Sequence, residues 1–148
     1  MKIIYQKIVS ILSEVSDLKF IDLDKGQLDY YSSGRPNVAF PAALINIELP
    51  ECIDESDTIQ RVRAQAIIRI AFDFTGETSA ATPSDVRDAS LNYFETVEAV
   101  YKALQGYSDS EVESISRAAV RQEVREDGYK VSQIIFNIWF DDVTADED

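Results

Sequence analysis

The sequence predicts an α+β domain: a mainly antiparallel sheet with two helices packed on one face, in the order α-β-β-β-α-β-β. Three observations carry this. Over the stretch RVRAQAIIRIAFDF, Val62, Ala64, Ala66, Ile68, Ile70, Phe72 and Phe74 alternate with Arg61, Arg63, Gln65, Arg69 and Asp73, the period of a strand with one buried face; Ile67 and Ala71 are exceptions. Ile4, Ile8, Ile11, Leu12 and Val15 recur at three- and four-residue steps, the period of an amphipathic helix. Asp127-Gly128 separates two further strand-like runs and supplies the positive φ angles of a tight type I′ turn.

The N-terminal helix is followed by a short strand over Leu18–Asp24, ended by the turn signal Asp24-Lys25-Gly26. Gln27–Pro41 mixes aromatics with Ser, Gly and Pro and is expected to be an irregular loop. Ala42–Glu48 forms a second strand stopped by Pro50, and Pro50–Asp57 is an acidic, solvated turn. The long strand follows from near Gln60. Thr82-Pro83-Ser84-Asp85 then starts a helix, with Thr82 as N-cap, Pro83 at the first helical position and an acid near the positive end of the dipole. It runs to about Gln105 on a stripe of Val86, Tyr93, Phe94, Val97, Val100, Tyr101 and Leu104, and Gly106 stops it. Val112–Glu126 and Tyr129–Asp142 form the closing hairpin. Ile134, Phe136, Ile138 and Phe140 share a face opposite Gln133, Asn137 and Asp141, while Ile135 and Trp139 mark partial cover of the second face. One domain over 1–142 and a loose acidic tail over 143–148 are expected.

Fourteen Lys and Arg against twenty-seven Asp and Glu give a net charge of −13. A surface this acidic repels phosphate, which argues against gripping nucleic acid by its backbone; the charge also keeps a chain soluble. No apolar run reaches the ~18–20 residues of a membrane span, so no membrane partner is expected and the chain should stay in the compartment where it is made. The chain contains no histidine and a single cysteine, Cys52. His-based general base chemistry, an internal disulfide and a thiolate zinc site are thereby excluded. Asp54, Glu55 and Asp57 lack the glycine and closing glutamate of a calcium loop, and Ser32-Ser33-Gly34-Arg35 lacks the spacing of a phosphate loop. No catalytic residue, cofactor or metal ligand is assigned, and no enzyme is expected.

Strand length carries the functional reading. A domain of this size is roughly 40 Å across, whereas fourteen extended residues reach nearly ~48 Å. Two arrangements remain open: neighbouring copies cover the small-residue half at Val62, Ala64 and Ala66, or the strand bends at a bulge and stays within its own subunit. The first predicts that Ala64→Glu or Ala66→Glu leaves a folded subunit that no longer associates. Candidate interface residues are Arg61, Arg63, Ala64, Ala66 and Arg69 on the strand, with Tyr30, Tyr31 and Arg35 in the aromatic loop, residue types enriched at interfaces. The loop tyrosines have an alternative position, laid back on the core.

In element order and apolar spacing the chain resembles the tail terminator, or tail completion, proteins of long-tailed bacteriophages and prophages. The likeness runs from KIIYQKIVSIL through FPAALINIE and RVRAQAIIRIAFDF to SDVRDASLNYFETVEAVYKAL and QEVREDGYKVSQIIFNIWF. It implies a non-catalytic α+β subunit that forms a homo-oligomeric ring capping the tail tube and docking to the head connector, in the virion tail or neck, assembled in the host cytoplasm. Its DNA contact would be with passing genome only, and an acidic bore would let that genome slide. The alternatives are a small-molecule-binding regulatory α+β module and an acidic hydrolase.

Overall fold

The computed structural model describes residues 1–73 and 76–146. Phe74 at the end of the predicted long strand, and Glu147 and Asp148 of the predicted tail, lie outside the described residues. The elements are α1 (Lys2–Leu12), β1 (Phe20–Leu23), β2 (Ala42–Asp54), β3 (Gln60–Phe72), α2 (Ser84–Ser90), α3 (Tyr93–Leu104), β4 (Ser116–Gln122) and β5 (Lys130–Asp142), with a 3-10 turn at Thr144–Asp146. No helix among them is long and apolar enough to cross a membrane.

Two parts of the predicted fold class are corrected. The sheet is mixed, in the order β1-β2-β3-β5-β4, because β1 lies parallel to β2 while the other three pairings are antiparallel. A parallel neighbour needs a crossover, and the irregular segment between Leu23 and Ala42 supplies one. The element order is also α-β-β-β-α-α-β-β. The helix expected from Thr82 to Gln105 breaks between Ser90 and Tyr93, where the amide of Leu91 reaches back to the carbonyls of Arg87 and Asp88 and that of Asn92 to Ala89. α2 buries none of its residues, whereas α3 buries Thr96, Val97, Val100 and Leu104; one apolar stripe cannot hold both segments against the sheet. Thr82 does not cap α2: the N-cap is Pro83, with no side-chain capping bond.

β2 does not stop at Pro50. It continues to Asp54 across an irregularity between Glu48 and Glu51, where the extra residue accommodates a proline that cannot donate to a ladder. The β4–β5 connection is likewise longer than the type I′ turn expected from Asp127-Gly128. Only Gly128 takes a positive φ there, at 81°, and residues 123–129 form a loop closed by Arg125 on Asp127.

α1 and α3 meet one face of the sheet. Ile4, Ile8 and Leu12 of α1, with Val97, Val100 and Leu104 of α3, share a core with Ala43, Ile45, Val62, Ala64, Ala66, Ile68, Ile70, Ile134, Phe136, Ile138 and Phe140. Residues 105–115, expected to hold the start of a strand, add Val112 and Ile115 to this core. That segment folds on itself through Gly106 N–H to the Ile115 carbonyl and Ile115 N–H to the Tyr107 carbonyl. It is tied to α1 by Lys7, whose ammonium donates to Asp109 at 2.6 Å and Glu111 at 3.0 Å, and to β5 by Glu113 N–H on the Trp139 carbonyl. The Lys7 bond, then the amides of Glu111 and Val112, holds the Asp109 carboxyl well below its usual range.

The opposite face is covered at one end only. There Leu28, Ala42, Leu44, Ala71 and Val131 form a second small core under the 25–41 loop, with Phe20, Val38 and Phe40 against it.

Candidate assembly surface

Register places the far half of the second face. Directly opposed residues of an antiparallel pair share a face, so Arg61, Arg63, Gln65 and Ile67 of β3 align with Ile53, Glu51, Glu48 and Asn46 of β2 and with Asp141, Trp139, Asn137 and Ile135 of β5. Among the described residues none of these belongs to the core under α1 and α3, and Ile53 is 47% exposed. The arginine arms cover part of the apolar surface themselves. Arg61 sits 5.2 Å from the Trp139 ring centroid and bonds Asp141 at 3.3 Å and Glu113. Arg63 bonds Glu51 at 3.1 Å and Asn137 at 3.2 Å.

Both margins of the sheet are open as well. β1 pairs with β2 only from Ala42 to Ile45, leaving β2 from Asn46 to Asp54 without an outer strand. On the other side β4 is the edge strand, short and largely exposed, with a bulge between Arg117 and Ala119.

The residues singled out from the sequence separate into three groups. Arg61 and Arg63 lie on the open face just described. Ala64 and Ala66 do not, and the expectation that another copy covers them is corrected: both are 0% exposed within a single chain, because α1, α3 and the 105–115 segment cover the long strand's apolar side. The strand therefore stays within its own subunit, as the second of the two arrangements left open by its length has it, but without the bulge expected there: its pairing with β5 is unbroken from Gln60 to Phe72, and the extra residue lies in β2.

Arg69 is also removed from any outer surface, at 8% exposure. Its guanidinium bonds Glu123 twice at 2.8 Å, Asp29 at 2.9 and 3.2 Å and Asp24 at 3.2 Å. Arg125 joins the same cluster through Asp29 at 3.1 Å, Glu123 at 2.8 Å, Asp127 at 2.7 Å and the Leu28 carbonyl. Hydrogen bonds from Arg69, then Arg125, hold the Asp29 carboxyl below its usual range. At Glu123 burial pushes upward, yet the bonds from Arg69, Gln133 and Arg125 outweigh it and the net direction is down. This two-arginine cluster clamps the 25–41 loop onto the sheet and the β4–β5 connection. Sequence alternation missed it because a buried, fully bonded arginine at an outward position looks the same as a solvated one.

The aromatic loop is divided between the two positions left open for it. Tyr31 donates to Asp127 at 3.1 Å, and Arg35 reaches Asp73 at 3.0 Å with its guanidinium 5.8 Å from the Phe40 ring centroid. Tyr30 is 88% exposed, its ring lying against Gly26, where a Cβ would come within 2.6 Å of it. Beside the start of α3 an open cleft of about 880 Å³ is lined by Asp17, Lys19, Phe72, Asp73, Tyr93 and Thr96, among others. Among the described residues no group of acids or cysteine is placed to hold a metal ion.

At the level of sequence no protein family and no curated protein matches the chain. By fold it is similar to a chain from the virion of a native gene transfer agent particle, with a TM-score of 0.54 at 11% identity, over 93% of this chain and 92% of that one.

Proposed function

We propose that this chain is a structural subunit of a phage-like virion, of the tail terminator kind, which self-associates into a ring on the tail tube and docks to the head connector without catalysing a reaction. The observation that carries the reading is the fold likeness over nearly the full length of both chains to a component of a virion particle. The open distal face around Arg61, Arg63 and Trp139 and the two sheet margins that carry no outer strand, with the Arg117 amide of β4 donating to the Gln105 side chain at 2.8 Å, give such a subunit surfaces for neighbours. The net charge of −13 suits a component past which a genome moves without sticking. Light scattering across a concentration series, followed by negative-stain imaging, tests the reading. Closed rings with a central opening are the expected result. A particle that stays monomeric at every concentration overturns it and directs attention to the cleft beside α3, whose size suits a small ligand.

A further inference from the structure

The two open margins of the sheet carry opposite charge, and the strands match residue for residue. β4, SRAAVRQ, contains Arg117 and Arg121 and no acid. The unpaired stretch of β2, from Asn46 to Asp54, contains Glu48, Glu51 and Asp54 and no base. Among the described residues neither Arg117 nor Arg121 forms an ion pair; Arg117 lies over the Tyr101 ring at 3.8 Å.

Strand direction also fits. β2 and β5 run one way and β3 and β4 the other, so a second copy set beside the first without being turned over presents its β2 antiparallel to β4. We propose, building on the self-associating subunit described above, that the β4 edge of one copy pairs with Glu51–Asp54 of the next. Arg117 then stands opposite Asp54, Ala119 opposite Ile53, Val120 opposite Cys52 and Arg121 opposite Glu51, with Ala118 as the bulge residue.

This register keeps every pair on a common face. Arg117 and Val120 align with Phe136 and Ile134 on the helix side of the sheet, as Asp54 and Cys52 align with Gln60 and Val62. Ala119 and Arg121 align with Ile135 and Gln133 on the other side, as Ile53 and Glu51 align with Arg61 and Arg63. Two exposed apolar residues, Ile53 and Val120, enter the contact, and the segment used lies beyond Pro50 and contains no proline, so the outward amide of every second residue is intact. β4 stands level with Ala43–Glu48 of its own β2, so the neighbour is displaced along the strands, the stagger that accompanies strand tilt when a sheet closes. The contact joins two different surfaces, which makes it head-to-tail.

Cross-linking tests the register, because Cys52 is exposed and is the chain's one cysteine. Val120→Cys under a mild thiol oxidant is expected to convert the assembled protein into a ladder of covalent multimers. Adding Cys52→Ser leaves one thiol per chain, at position 120, and should abolish cross-linking altogether. If a covalent dimer forms with Cys52 removed, β4 meets β4 and the proposal is overturned; if Val120→Cys alone gives no ladder although the wild-type protein assembles, this contact is wrong while the assembly reading stands. A wild-type protein that never assembles sinks both. A charge exchange reads the same pairing independently: Arg117→Glu should weaken association about tenfold or more, and Arg117→Glu with Asp54→Arg should restore it. Restoration by Arg121→Glu with Asp54→Arg instead would assign a different register.

Discussion

Single side chains decide which surfaces remain available. Ala64 and Ala66 have no exposed atoms to offer a neighbour, so Ala64→Glu is now expected to abolish folding instead of association alone, since a carboxylate there has neither room nor partner. Circular dichroism of the variant should show a lost or molten fold; a native spectrum with lost association would restore the interface reading. Arg69 is the counterpart on the other face. Removing its guanidinium leaves Asp24, Asp29 and Glu123 around an empty centre, and Arg69→Met is expected to cost about 3 kcal/mol in urea unfolding. Arg69→Lys should recover only part of this, because an ammonium cannot reproduce the paired bonds to Glu123. The alternation that made this strand legible in sequence revealed which residues face the helices. It could not show that Arg69 is enclosed while Arg61 and Arg63 remain accessible, for that difference comes from Asp29 and Glu123, 40 and 54 positions away.

Among elements, those with regular periodicity were legible and those shaped by distant contacts were not. The strand from Gln60 begins where its spacing put it, and the N-terminal helix forms as its spacing predicts but ends at Leu12, short of Val15. The extension of β2 past Pro50 was hidden because a bulge, invisible in composition, absorbs the proline. The early part of the predicted Val112–Glu126 strand instead packs as loop, because Val112 and Ile115 both face the core at a three-residue spacing that no strand allows. The 25–41 loop makes an element-scale prediction about acidity. Hydrogen bonds, first from Arg69 at Asp29 and from Arg125 at Asp127, lower the folded-state values of these carboxyls, and Glu123 is lowered as well. Their stabilising effect is thus fully present above the ordinary carboxyl range, about 4, and is lost as pH falls through the lowered values. Protease cleavage within this loop should stay slow from neutrality to pH 5 and accelerate below about pH 4. Equal cleavage at all these values would show that the arginine cluster does not hold the loop.

For the molecule as a whole, the α+β character was readable from element types, but the parallel β1–β2 pairing was not. Nothing in FIDL distinguishes a strand that adds parallel from one that adds antiparallel; the crossing loop decides, and its course is set by Leu28 and Phe40 settling under a sheet built from residues far along the chain. The ring prediction belongs to this scale, where what counts is the pair of margins and the open face between them. Pro50 has one further consequence. An outer strand of this length would normally invite stranger chains to stack on it indefinitely, the first step toward fibrils. A missing amide and a doubled residue at mid-length interrupt that template. Concentrated preparations should therefore resist amyloid-like precipitation, and Pro50→Val should make them seed it, seen as a rise in thioflavin fluorescence on prolonged standing.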